Sequence, residues 1–185
     1  MNKNFKSYYW DNGRPRGFNV VDDSEPVTYK VIVDPYYKRY TLEKYKEGKF
    51  ADIIYDSALY DFRWLKPQEQ AAWQKQTIEE SASEQTCLIR NQDDRVISTE
   101  KYTFEKGLCT TCEIYYPHGP LIATQRITYT KLGAEENVVT LLDRLKNPVV
   151  IKKYESNEET GEFTTMISEL WNTQNINEIA DSNIT

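Results

Sequence analysis

Turn signals recur along this chain at intervals too short for long helices. They are Asp11-Asn12-Gly13, Asp22-Asp23, Asp34-Pro35, Asn91 to Asp94, Pro117 to Pro120 and Asn147-Pro148. The runs between them are rich in Val, Ile, Thr, Tyr and Phe, the residues that suit a pleated, half-buried surface. This punctuation predicts an antiparallel meander. The expected strands are 5–10, 17–21, 28–33, 37–46, 50–55, 58–65, 86–91, 95–104, 108–116, 121–130, 137–144, 148–155 and 161–170. The expected fold class is therefore mainly β, as an open sheet or a closed barrel.

One segment departs from the pattern. Residues 67–84, PQEQAAWQKQTIEESASE, hold almost no strand formers. Pro67 suits a first helical turn, and Gln, Glu, Ala and Lys favour helix. Ala71, Ile78 and Ala82 would share one face, with Trp73 at its edge. An inserted helix is expected around 67–84, lying over a sheet or closing a barrel end. Residues 1–172 read as a single β-rich domain, and the polar stretch 173–185 as a flexible tail.

Three stretches look alike: 29–50, 86–109 and 139–163. Each has an apolar strand, a tight turn and a second strand carrying a Lys-Tyr pair, at 44–45, 101–102 and 153–154. A polar loop and a glycine follow, at Gly48, Gly107 and Gly161. If the stretches are equivalent, Tyr45, Tyr102 and Tyr154 occupy matching places.

The net charge of −6, without a basic run, argues against nucleic acid as a partner. No apolar run approaches the roughly 20 residues of a membrane span, and the first residues lack an apolar signal region. With three cysteines in no disulfide spacing, the chain reads as cytoplasmic, although signal-less export is compatible with the same sequence.

No catalytic motif emerges. Cys109-Thr110-Thr111-Cys112 has a metal or redox spacing, but only Cys87 and His118 remain to complete a zinc set. On a regular strand the two cysteines would face opposite sides. His118, the lone histidine, sits in a Pro-Gly turn. The acid pairs, such as Asp93-Asp94 and Glu158-Glu159, fall in polar turns. Neither a metal nor a cofactor is expected.

The aromatics are the strongest signal, at 13% of the chain. Tyr8, Tyr9 and Trp10 precede one turn, Tyr36, Tyr37 and Tyr40 surround another, and Tyr115 and Tyr116 precede a third. Tyr60, Phe62 and Trp64 alternate as if along one strand. Such residues pack sheets and also serve as amphipathic contacts at interfaces. Tyr60, Phe62, Trp64, Tyr115 and Tyr116 are the candidate binding residues.

The segments YYWDNGRPRG (8–17) and YYPHGPLIATQR (115–126) resemble a MORN-type repeat variant of the kind labelled antitoxin-like. Each has a Tyr-Tyr pair, a short turn with Gly and a second hairpin strand, while IIYDSALYDFRWL (53–65) reads as a copy lacking the Gly. The resemblance implies repeated β-hairpins acting as a non-catalytic interaction or lipid-associated module. Two functions follow as expectations. The first is a domain presenting an aromatic-rich β-surface to a protein partner. The second is a lipocalin-like barrel enclosing a small apolar or chromophore-like ligand.

Overall fold

The computed structural model describes residues 3–60, 62, 73–129, 137–156 and 163–171. Among them run thirteen strands: β1 (Asn4–Asp11), β2 (Arg14–Val21), β3 (Val27–Asp34), β4 (Arg39–Lys46), β5 (Lys49–Asp56), β6 (Gln74–Glu80), β7 (Glu84–Arg90), β8 (Val96–Glu105), β9 (Leu108–Tyr115), β10 (Leu121–Tyr129), β11 (Asn137–Asp143), β12 (Pro148–Ser156) and β13 (Phe163–Trp171). They form two antiparallel sheets, ordered β2-β1-β3-β4-β5 and β13-β12-β11-β10-β9-β8-β7-β6. The chain divides into two compact units, one built mainly on residues up to Leu65, the other on Lys66–Lys146 with Val150–Leu170. Among the described residues no helix is long and apolar enough to cross a membrane.

Two kinds of turn build the hairpins. The first has two residues, both with positive φ: Asn12 (48°) and Gly13 (74°), Glu47 (50°) and Gly48 (72°), Lys106 (52°) and Gly107 (81°). That pair of dihedrals is the type I′ turn, whose twist matches that of the flanking strands. The second is opened by an Asx side chain. Asp34 Oδ1 accepts the N–H groups of Tyr36 and Tyr37 at 2.9 and 3.1 Å. Asn91 Oδ1 accepts those of Asp93 and Arg95, both at 3.0 Å. Asp143 Oδ1 accepts that of Leu145 at 2.8 Å. Each such turn contains one left-handed residue, Lys38, Asp94 or Lys146.

In the first unit the hairpins bring aromatic rings together. Trp10, 1% exposed, lies across from Pro15. Its ring meets Tyr55 edge-on at 4.9 Å and Phe62 at 5.1 Å, and Tyr55 and Phe62 stand 4.9 Å apart. Tyr8 reaches Trp10 at 6.2 Å and Tyr29 at 4.9 Å. This last contact spans β1 and β3, which share a bridge at Phe5 and Tyr29. At the far end of β5 the buried Asp56 accepts hydrogen bonds from Arg39 Nε at 2.8 Å, from Arg39 Nη2, and from the Ala58 N–H at 3.0 Å. A buried carboxylate is tolerable when its lone pairs are filled in this way.

In the second unit Cys87, Ile89, Cys112, Ile114, Ala123, Leu141 and Leu142 are buried. On β10 and β11, neighbours in sequence are both buried: Ala123 with Thr124, and Leu141 with Leu142. Because successive strand residues point to opposite faces, these strands are covered on both sides.

Three expectations are corrected. The helix expected around 67–84 is not found: Gln74–Glu80 is strand β6, paired with β7 from Gln74 opposite Arg90 to Glu80 opposite Gln85. Residues 67–72 of that segment lie outside the described ones. Ser81 ends the strand in a turn, its Oγ accepting the Glu84 N–H at 3.0 Å and its own N–H donating to the Glu84 carbonyl. The ladder to β7 outweighs helix propensities of only tenths of a kcal/mol per residue. The closed barrel is not supported either, since both sheets are open among the described residues. Finally, the strand expected at 58–65 does not form; residues 57–59 turn, and Tyr60 follows in irregular chain. The tail at 173–185 and Gly161 lie outside the described residues.

Trp10 joins the rings of Tyr8, Tyr55 and Phe62, so its removal leaves the largest cavity in this unit. Trp10→Ala is expected to cost about 3–5 kcal/mol, read from the urea midpoint. A loss below about 1 kcal/mol would show that the ring cluster does not hold the unit together.

Candidate interaction surface

The predicted site residues fall into different environments. Phe62 is 1% exposed and belongs to the aromatic core. Tyr60 is half-buried, with its ring 5.6 Å from Phe62. Trp64 lies outside the described residues. Tyr115 and Tyr116 are half-buried at the end of β9 and the start of the following turn, where the Tyr116 N–H donates to Pro120 O and its carbonyl accepts from the Gly119 N–H, both at 3.2 Å. The structure therefore does not gather the five into one surface.

Tyr115 is part of an arrangement that occurs in both units. Its hydroxyl donates to Glu113 Oε2 at 2.8 Å, and Lys101 Nζ lies 5.3 Å from its ring centre. Lys101 stands opposite Glu113 in the ladder. In the first unit Tyr45 donates to Glu43 at 2.7 Å, Lys30 Nζ lies 4.2 Å from the Tyr45 ring, and Lys30 stands opposite Glu43. A carboxylate two residues before a tyrosine shares its sheet face. A lysine across the ladder then reaches both the charge and the ring. Burial, with the hydrogen bond to Glu113, pushes the Tyr115 phenol up to about 12.

A deeper version surrounds Tyr102. Its hydroxyl donates to Glu100, while Lys75 Nζ, from β6, lies 3.7 Å from its ring centre. Burial raises the Glu100 carboxyl above the ordinary range, opposed by the Tyr102 hydrogen bond and by Lys75. Burial likewise pushes the Tyr102 phenol and the Cys112 thiol upward. A thiol held protonated is a poor nucleophile. Lys75 thereby ties an otherwise exposed edge strand to the sheet.

The cysteine expectation needs a correction here. In the register Cys112 faces Tyr102 and Cys109 faces Phe104, with a shift between Thr103 and Phe104. Tyr102 and Phe104 share a face, so this bulge in β9 brings both cysteines to the same side of the sheet rather than to opposite sides. Among the described residues, no group of three or more His, Cys, Asp and Glu side chains could hold a metal ion.

The most exposed aromatic pair is one that the sequence showed only as turn residues. Tyr36 is 84% and Tyr37 75% exposed, at the tip between β3 and β4. Their rings meet edge to face at 4.8 Å. Asp34 fixes both backbone amides beneath them. The Asp-Pro-Tyr-Tyr string was a usable signal, because an Asx turn carries its central side chains outward at the tip. No family model matches the chain, and comparisons with curated proteins and with solved structures return no match.

The Tyr102 cluster gives a signed pH expectation. A carboxyl whose folded-state pKa is raised binds its proton more tightly in the fold. It therefore contributes stability below its unfolded value of about 4.3, and that contribution is lost as pH rises through the folded value. Glu100→Gln should flatten this part of the stability–pH curve. Tyr102→Phe should steepen it and cost about 0.5–1.5 kcal/mol near neutrality. Identical curves for wild type and Glu100→Gln would contradict the assignment.

Proposed function

We propose that this chain is a non-catalytic binding domain that presents aromatic side chains on a β-scaffold to a protein partner. The observation that carries the reading is the Tyr36–Tyr37 pair. Two large rings stand almost fully in water at a hairpin tip, where they contribute little to folding. They are also pre-ordered, by their mutual contact and by Asp34. Tyrosine gives a large amphipathic contact area at low entropy cost and is common at binding hot spots, and pre-ordering lowers the cost of association. The neighbouring sheet adds exposed Val33, at 49%.

The MORN-like resemblance supports the same reading, since its two better segments are strand–turn–strand hairpins at β1–β2 and β9–β10. The chemistry around Tyr102 points the same way. Its acid is engaged by the phenol and its lysine by the ring, and burial holds the nearby thiols protonated.

The double variant Tyr36→Ala/Tyr37→Ala should leave stability within about 0.5 kcal/mol of wild type and lose a partner that wild type captures from cell extract. A captured protein retained in full by this variant would overturn the reading. So would a large loss of stability, which would make the pair structural.

A further inference from the structure

Each sheet ends in two edge strands, and an edge presents unpaired N–H and C=O groups that invite another strand. Three of the four edges are protected. β2 carries Pro15, Arg14 and Arg16, and Asn19 breaks its extended backbone with φ 57°. β5 has two register shifts against β4 and carries Lys49, Asp52 and Asp56. β6 has a shift between Thr77 and Glu79 and carries Lys75, Glu79 and Glu80. β13 differs: of its nine residues, Glu169 alone is charged, and it contains neither proline nor glycine. Residues 165–170 are all exposed. Met166 and Ile167 are 48% and 47% exposed and Leu170 is 37% exposed. Met166 and Ile167 are sequence neighbours, so the apolar surface at this edge lies on both faces.

We propose that β13 is a self-association edge, and that its occupant is β13 of a second copy of this chain, paired antiparallel across a two-fold axis. Charge selects this occupant. An antiparallel pair related by a two-fold axis places one residue opposite itself. With Ile167 on the axis, Met166 faces Ser168 of the second copy and Thr165 faces its Glu169. The lone carboxylate meets a hydroxyl, and Ile167 packs on its own copy. Centring on Met166 or Ser168 also keeps the two Glu169 side chains apart. The rest of the molecule is acidic, at −6 overall, so an edge with one charge is where two copies repel least. The pairing is isologous and closes as a dimer, joining the two eight-stranded sheets.

The test is sedimentation equilibrium of the full chain up to about 100 µM, a concentration that reveals weak interfaces. A reversible dimer is expected. Ile167→Lys, at an exposed position, places two ammonium groups face to face and should weaken the dimer about a hundredfold, with the circular dichroism of wild type. Ile78→Lys on β6 should leave it unchanged. Ile167→Cys should cross-link to itself under mild oxidation, because residues opposite each other in an antiparallel pair lie about 4.5–5.5 Å apart at Cα, within disulfide reach. A monomer throughout would overturn the proposal. So would assemblies that grow beyond two, a dimer that folded Ile167→Lys retains, or one that Ile78→Lys dissolves.

Discussion

Everything in this molecule depends on hairpin turns that require a left-handed backbone. A strand shows alternate residues to alternate faces, so a register slip of one residue moves every inward side chain outward. A meander has few long-range features to prevent that slip, and its turns must. The pair Glu47-Gly48 sets Tyr45 opposite Phe50, and Lys106-Gly107 sets Glu105 opposite Leu108. The pair Asn12-Gly13 sets Trp10 opposite Pro15, which directs the indole into the core. The Asx turns do the same at the other strand ends, where Asp34, Asn91 and Asp143 hold the chain by their side chains. From these registers follow the ring cluster of the first unit and the Lys–Glu–Tyr arrangements of both.

Much of this was legible in the sequence because turn chemistry is local. Asn12-Gly13, Asp34-Pro35 and Asn147-Pro148 each mark a reversal, and the strands around them lie close to their expected positions. The Lys-Tyr similarity also has a visible counterpart. Tyr45, Tyr102 and Tyr154 lie on β4, β8 and β12, the middle strands of β3-β4-β5, β7-β8-β9 and β11-β12-β13. Tyr45 and Tyr102 both donate to a glutamate two residues earlier.

What failed was non-local. The composition of β6 is that of a helix, and it becomes a strand because β7 supplies a ladder and Tyr102 a seat for Lys75. The shared face of Cys109 and Cys112 comes from a bulge that no residue type announces. The alternation of Tyr60, Phe62 and Trp64 imitated a strand, yet the chain turns at 57–59 and delivers Phe62 to the core. Aromatic count alone could not separate rings that build the fold from rings that face water. Trp10, Tyr55 and Phe62 are the first kind; Tyr36 and Tyr37 are the second. Only the register and the turn geometry sort them.

The most direct test of the account is at Gly48. Its φ is +72°, and a Cβ built there meets nothing within 4 Å. A substitution therefore reports backbone strain without a steric clash. Gly48→Ala should lose about 1–2 kcal/mol of stability, the cost of holding an L-residue left-handed. Gly48→Asn, which tolerates that conformation, should lose clearly less. Urea unfolding of the three proteins reads both values. If alanine and asparagine were each as stable as glycine, the left-handed turn would not be what fixes these hairpins.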